Sequence, residues 1–412
     1  MEHRVVVTGF ELITALGLDW QTTWEGLVEG RSGVSEIRRF DASGYDVRIA
    51  AEIPDAFVSY ARNFVKGRRA KQMARATTLC YVCAKKAVDN SGLDFETMDR
   101  DRCAVIMGAV DTGHSLIEDQ KFWVLKTMPH ALSAWVAIDY RLSGPNYTVS
   151  AACASSAFAI AHAYDLIRTG KADVVLTGGA SSIVNPEHVA GFAELQALST
   201  ANRDPKSASK PFSRNRDGFV IGEGAGVLVL ESESSAHRRQ ATIWGEVIGY
   251  ALTSETYNIM APAKNGSGMA HTMRLALKDA RLQPEGVDYI NAHGTSTSFN
   301  DRYETMAIKE VFGDHAYRIP ISSTKSMIGH TAAAAGAVEA IVCFLTMAHG
   351  VIHPTINYQP DPELDLDYVP HQPRSKTVNV ALSNSFGFGG VNATLVLGRY
   401  SKQRSNEDGS SA

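Results

Sequence analysis

The sequence predicts an α/β fold in which helices cover buried sheets. Short, uniformly apolar runs such as 5–7 and 174–176 indicate strands that are buried on both faces. Helical patterns and short links separate these runs, and such alternation is typical of α/β proteins. Because the order of elements begins again near residue 240, we also expect two comparable halves.

In the first half, the apolar patterns predict strands at 4–10, 102–108, 173–180 and 227–230, and helices at 19–27, 71–88 and 154–168. The helix over 71–88 contains Cys80 and Cys83. A redox pair usually lies at a helix start, and no second C-x-x-C is present to complete a zinc site. We therefore interpret these two residues as buried helix cysteines.

In the second half, the same patterns predict helices at 269–281, 300–312 and 331–349, and strands at 287–292, 319–323, 377–382 and 393–397. The predicted domains are an N-terminal half over 1–245 and a C-terminal half over 246–400. The segment 401–412 is polar and poor in apolar residues, so we expect a disordered tail.

Composition excludes several classes of function. The chain has 412 residues, of which 44% are hydrophobic, and a formal net charge of −4, which gives nucleic-acid binding no support. The apolar part of the N-terminus is too short for a signal peptide. No apolar run approaches the roughly 20 residues of a membrane span. The five cysteines are scattered and odd in number, so we expect a reducing, cytoplasmic location.

Three reactive residue types stand at predicted strand ends. Cys153 lies between an extended run from 147 and an Ala-rich helix, where the helix dipole favours a thiolate. Taken alone, it could equally be a small buried cysteine. His293, Lys325 and His330 follow later strands, and loops at strand ends carry the reactive groups of α/β folds. The set as a whole indicates a nucleophile with supporting groups.

Four blocks, 151–157, 291–297, 323–330 and 384–390, resemble the elongating β-ketoacyl-acyl carrier protein synthases. The likeness is closest to the synthase II type of bacterial fatty-acid synthesis and runs from Val5 to Leu397. This resemblance implies a thiolase-like fold, in which two similar halves form a five-layered αβαβα sandwich.

The resemblance also implies a reaction. Cys153 would accept an acyl group as a thioester, and His293 and His330 would stabilise the enolate formed when a malonyl unit loses CO2. That enolate would attack the thioester and extend the chain by two carbons. Both substrates would be carried on the phosphopantetheine of acyl carrier protein, with no cofactor and no metal.

The remaining roles are carried over from the same family. The backbone N–H groups of Cys153 and Phe388 would form the oxyanion hole, and the Phe388 side chain would act as a gate. Lys325 would order the site through Asp301 or Glu304. The other implied roles are support of the histidine loop by Glu339, binding of the pantetheine arm by Thr295 and Thr297, and substrate contact by Phe386 and Phe388.

The family also implies protein partners. The basic cluster, defined as Lys66, Arg68, Arg69 and Lys71, falls where related enzymes dock the acidic carrier protein, although such runs are often only solvated faces. The second subunit would be an identical copy or a ketosynthase-like chain-length subunit. A non-catalytic chain-length role for this chain itself is the alternative, which the retained Cys153 and histidines oppose.

Three departures from the family pattern indicate a specialised substrate, such as a polyene or aromatic polyketide. The loop 108–115 contains Asp111 and His114, which predict a more polar or differently shaped pocket. The segment 257–262 lacks the usual histidine, and Ser155-Ser156 replaces the common Thr-Gly.

Overall fold

The computed structural model describes residues 2–114 and 121–401. Its strands are β1 Val5–Ile13, β2 Ser35–Glu36, β3 Ile49–Ala50, β4 Cys103–Gly108, β5 Asn146–Val149, β6 Val174–Ser181, β7 Gly224–Ser232, β8 Gly245–Ser254, β9 Tyr289–Asn291, β10 Ile321–Ser322, β11 Val351–Ile352, β12 Arg374–Ser375, β13 Val380–Gly387 and β14 Val391–Gly398.

The helices of the described residues are α1 Trp20–Val28, α2 Ala56–Ala61, α3 Arg68–Gln72, α4 Arg75–Ser91, α5 Trp123–Thr127, α6 Ala131–Tyr140, α7 Ser155–Arg168, α8 Pro186–Glu194, α9 Glu233–Arg238, α10 Ser267–Asp279, α11 Ser298–Phe312, α12 Lys325–Ile328 and α13 Ala335–His349.

One large sheet consists of two halves with the same strand order. Among the described residues it has ten strands, in the order β10-β9-β13-β14-β8-β1-β7-β6-β4-β5. When the strands of this sheet are counted along the chain within each half, their order across the half is third, second, fourth, fifth, first. The third, second and fourth strands are parallel to one another, and the fifth pairs antiparallel with both the fourth and the first. The halves join where β1 pairs with β8, with Val5 opposite Val247. The two similar halves are confirmed, whereas the exact boundary between 245 and 246 stays a prediction.

The helices form three layers around these sheet halves. The central layer contains α7 and α13, whose Ile160 and Ile341 share one core with residues of both halves, such as Val7 and Leu395. A second core lies between the N-terminal half and α4 with α6. A third lies between the C-terminal half and α10 with α11. The predicted five-layered αβαβα arrangement is confirmed.

One segment that includes the central helix α13 is apolar enough to resemble a membrane span. Within the described residues, Ala332–His349 has the length and apolar composition of a membrane span, but 89% of it is buried inside the fold. A helix enclosed between two sheet halves needs apolar residues all round, and this placement accounts for the composition.

The long helix predicted over 71–88 is interrupted. Met73 and Ala74 have extended backbone angles, so the chain forms α3 and then α4. The short α3 buries none of its residues and presents Arg68 and Lys71 to solvent. Cys80 and Cys83 are fully buried within α4, in agreement with their interpretation as core cysteines.

Candidate active site

A strained turn between β5 and α7 presents Cys153. Ala152 has a φ of +46°, in the left-handed region that non-glycine residues rarely adopt. The Ser155 hydroxyl closes the turn, since it accepts the Ala151 N–H at 2.9 Å and donates to the Ala152 carbonyl at 2.6 Å. These bonds hold an otherwise unfavourable conformation in place.

Ser155 and Ser156, the pair that departs from the family pattern, both form hydrogen bonds to backbone groups. Ser155 closes the nucleophile turn, and the Ser156 hydroxyl accepts the Ala337 N–H at 2.9 Å, which links α7 to α13. Neither serine lies among the described residues that line the Cys153 cavity. The pair positions the two central helices, so its predicted influence on substrate has no support in the cavity wall.

The His293 loop is held by two buried carboxylates of α11. Glu304 accepts the backbone N–H groups of His293 and Gly294 at 2.8 and 2.9 Å. Asp301 accepts those of Thr295 and Ser296 at 3.0 and 3.2 Å. Because both carboxylates are buried and receive several backbone donors, they fix the loop that follows β9.

Lys325 pairs with a different carboxylate from the predicted one. Its ammonium group forms an ion pair with Glu339, and both side chains are only 2% exposed. The expected contact with Asp301 or Glu304 is wrong, because those carboxylates are already committed to the His293 loop. Burial raises the pKa of Glu339 to about 7, against the opposing effect of the Lys325 charge.

Cys153, His293 and His330 converge as predicted. One side-chain nitrogen or sulfur atom of each lies within 4.8 Å of the other two. The two imidazole rings meet edge to face, with centroids 5.3 Å apart. Phe386 packs 5.9 Å from His293, and Phe219 lies 5.4 Å from His330. These residues line a cavity of about 310 Å³.

Both histidines are suited to donate hydrogen bonds from the neutral state. Burial, together with the Lys325 charge, lowers the pKa of His293 and of His330 well below 6.5. The Ala332 N–H donates to Nδ1 of His330 at 3.2 Å, which places the imidazole proton on Nε2. That Nε2–H has no partner among the described residues. The same proton disfavours a metal ion, which would need a lone pair at Nε2.

The backbone N–H groups of Phe388 and of Cys153 itself lie near the Cys153 sulfur and oppose the rise in its pKa. These are the two N–H groups that the resemblance implied for the oxyanion hole. A glycine before Phe388 favours this close approach, since a Cβ on Gly387 would lie 3.2 Å from the Cys153 nitrogen. The arrangement can stabilise negative charge next to the sulfur.

The predicted thiolate does not form at rest. Burial raises the pKa of Cys153 to about 11, although Lys325 and the two N–H groups act in the opposite direction. Cys153 lies two residues before the first residue of α7, Ser155, and the loss of solvation outweighs the groups that favour the thiolate. The expectation of a lowered thiol pKa is wrong, because burial raises that pKa instead.

The substrate-contact residues named from the sequence surround the cavity. Thr295, Thr297, Phe386 and Phe388 all line it, and the two threonine hydroxyls are 2.8 Å apart. Asp111 and His114 are not among its described lining residues, and residues 115–120 lie outside the described part of the chain. A polar pocket built by that loop stays a prediction.

Sequence reasoning missed Glu255. Its carboxylate accepts the Asn392 amide at 2.9 Å and the Ala263 N–H, while its own N–H donates to Gly390 at 2.8 Å. These bonds tie the segment after β8 to the glycine loop of Phe388. An acidic residue after a strand gives no sequence signal for such a contact.

Two family models match the chain. The β-ketoacyl synthase N-terminal domain matches residues 2–236, and its C-terminal domain matches residues 244–359. The chain belongs to the β-ketoacyl synthase family. It is 43% identical to 3-oxoacyl-[acyl-carrier-protein] synthase 2 of Synechocystis sp., covering 97% of this chain and 99% of that protein. The same-named protein of Coxiella burnetii is 39% identical with the same coverage.

Solved ketosynthase structures are similar over 97% of this chain and the whole of each matched chain. The ishigamide ketosynthase/chain length factor is 35% identical with a TM-score of 0.89. The structure of a type II PKS acyl-carrier protein in complex with its ketosynthase bound to the hexaketide is 33% identical with a TM-score of 0.86. A β-ketoacyl synthase from Burkholderia phymatum is 33% identical with a TM-score of 0.88. These structures confirm the thiolase-like ketosynthase fold.

The basic cluster of this β-ketoacyl synthase is exposed at all of its members, Lys66, Arg68, Arg69 and Lys71. Arg69 also has an internal role, since its guanidinium donates to Asp139 at 2.6 Å and lies 5.9 Å from the Trp135 ring. The cluster is thus available to a partner, but Arg69 contributes to the fold as well.

Proposed function

We propose that this β-ketoacyl synthase condenses a malonyl-carrier protein with an acyl group held on Cys153, extending a fatty-acid or polyketide chain by two carbons. The observation that carries the proposal is the convergence of Cys153 with two neutral imidazoles within 4.8 Å. One site then contains a nucleophile and donors for a developing enolate.

In the first half-reaction, the Cys153 sulfur attacks the carbonyl carbon of an acyl-carrier thioester. We assign stabilisation of the tetrahedral oxyanion to the N–H groups of Cys153 and Phe388, and their effect on the pKa of the Cys153 thiol supports this role. The intermediate collapses with loss of the carrier thiolate, which takes up the proton of the Cys153 thiol. An S-acyl enzyme and the free carrier thiol result.

In the second half-reaction, the malonyl-carrier thioester loses CO2, and its carbonyl oxygen acquires negative charge. Hydrogen bonds from His330 and His293 stabilise this enolate, each contributing about 3–4 kcal/mol. The enolate carbon attacks the acyl thioester on Cys153 and releases the cysteine as a thiolate, which takes up a proton from solvent. The product is a β-ketoacyl thioester on the carrier.

The proposed partner is an acidic acyl carrier protein that docks on the basic cluster. The exposure of these cations and the presence of a cavity that contains Cys153 support a carrier that delivers its substrate on a phosphopantetheine arm. The second subunit is proposed to be an identical copy or a chain-length subunit, as in the ishigamide ketosynthase/chain length factor. A purely non-catalytic role is less well supported, because the complete Cys-His-His set serves no purpose in it.

Intact-protein mass spectrometry tests this function. Purified protein is mixed with malonyl-carrier and a panel of acyl-carriers that differ in length, saturation and oxygenation. We expect acyl mass on the wild-type enzyme, none on Cys153→Ala, and products two carbons longer. Acylation and elongation by Cys153→Ala would contradict the mechanism, and the preferred acyl group separates fatty-acid from polyketide substrates.

A further inference from the structure

A buried histidine outside the cavity joins two segments of the active site. His353 is 0% exposed and does not line the cavity. Its Nε2 lies 3.1 Å from the Thr324 hydroxyl and 3.3 Å from the Ser322 hydroxyl, and its Nδ1 lies 3.0 Å from the Pro354 carbonyl. No other role assigned above uses this side chain.

The donors and acceptors of this network have a defined direction. The Pro354 carbonyl can only accept, so Nδ1 of His353 carries the proton and Nε2 accepts from a hydroxyl, of which that of Thr324 is the nearest. The Thr324 oxygen in turn accepts the Asn291 amide at 3.0 Å. Burial lowers the pKa of His353 to about 4, which keeps Nε2 an acceptor at neutral pH.

The network connects the ends of two adjacent parallel strands, β9 and β10. Thr324 immediately precedes Lys325, and Asn291 stands two residues before His293. A neighbouring bond from the Ser323 hydroxyl to the Gly294 carbonyl, 2.7 Å long, joins the same two loops. Rotation or loss of the His353 side chain would therefore alter how Lys325 sits relative to His293.

We infer that His353 is a positioning residue for the enolate-forming half of the site, through its bonds to Thr324 and, beyond it, Asn291. The inference rests on the proposed function. It predicts an unequal effect on the two half-reactions, because acyl transfer depends on Cys153 and the Phe388 N–H, which belong to other elements. Decarboxylation depends on His293, whose loop the network holds.

The test measures both half-reactions separately in single turnover. Acylation is followed by mass on Cys153, and decarboxylation by conversion of malonyl-carrier to acetyl-carrier. We expect His353→Ala to lower decarboxylation about 10- to 100-fold, the size of effect that a small misplacement of reacting groups produces. Acylation should stay within about twofold of wild type.

Two further variants separate positioning from folding. His353→Gln can place an amide oxygen near the Nε2 position, so we expect it to restore much of the decarboxylation. Thr324→Val removes the same bond from the other side and should reproduce the loss even if His353→Ala fails to fold. Thr346→Val, at an equally buried hydroxyl of α13, is the matched control and should leave the ratio of half-reactions unchanged.

Two results would overturn the inference. One is an equal loss of acylation and decarboxylation in the His353 and Thr324 variants that follows the fall in melting temperature. The other is unchanged decarboxylation in a folded His353→Ala variant. Failure of the wild-type protein to acylate or condense would instead refute the proposed function. The wild-type reaction in the same assay therefore distinguishes the two failures.

Discussion

The backbone N–H of Ala332 donates to Nδ1 of His330 at 3.2 Å, and this bond determines which imidazole nitrogen carries the proton. The Nε2–H that results is the group available to an enolate. Glutamine can present an N–H donor near that Nε2 position, whereas asparagine can only replace Nδ1. We expect His330→Asn to lower decarboxylation about 10²- to 10³-fold and His330→Gln to lower it considerably less.

The measurement is release of CO2 from malonyl-carrier under single-turnover conditions, with Cys153 acylation as the internal control. Both variants should acylate at rates near wild type, since the oxyanion donors are unchanged. If asparagine proves as active as glutamine, the donor role of Nε2 is wrong.

A second prediction concerns the thiol. With the pKa of Cys153 at about 11, we expect its alkylation by iodoacetamide to become about tenfold faster per pH unit from pH 6 to 9, without a plateau. The other four cysteines are buried, so Cys153→Ala should abolish rapid labelling. A plateau near pH 7 would show that a thiolate exists at rest.

Much of the fold and site followed from the sequence, because local patterns encode them. Apolar runs predicted strands such as β4, and the motif blocks predicted the convergence of Cys153 with His293 and His330. The Lys325 partner was missed because spacing cannot show that the carboxylates of Asp301 and Glu304 are already saturated by backbone donors. The thiol pKa was misjudged because a helix start is visible in sequence, whereas the depth of burial depends on the whole tertiary structure.

The Lys325–Glu339 pair gives a third prediction. Removing one partner of a buried ion pair leaves the other uncompensated, so Lys325→Met should lower the free energy of unfolding by about 3 kcal/mol at pH 8. The pKa of Glu339 is raised when folded, so this carboxyl favours the folded state at low pH and that contribution is lost as pH rises. The variant should thus lose stability as pH rises from about 4.5, the ordinary pKa of a glutamate, through 7 and above, because removing the Lys325 charge raises the pKa of Glu339 further.

Denaturant titrations at several pH values check this expectation. The double variant Lys325→Met/Glu339→Gln keeps similar side-chain volume without a buried charge. It should recover part of the stability and abolish the additional pH dependence. A pH-independent deficit in the single variant would contradict the assignment to Glu339.

The basic cluster gives the last prediction, because its two central arginines differ in their contacts. Arg68 is exposed on α3, whereas Arg69 also forms an ion pair with Asp139 on α6. We expect Arg68→Glu to raise the apparent KM for acyl-carrier several-fold at low salt with little change in kcat or melting temperature. Arg69→Glu should raise KM and also lower the melting temperature, since it places two carboxylates together.

Lys171→Glu is the control of equal charge change, because Lys171 is exposed beyond the end of α7 that is remote from Cys153. Because exposed charges are screened, the effect of Arg68→Glu should diminish as ionic strength rises. Equal KM values for Arg68→Glu and Lys171→Glu would remove the cluster as the docking site.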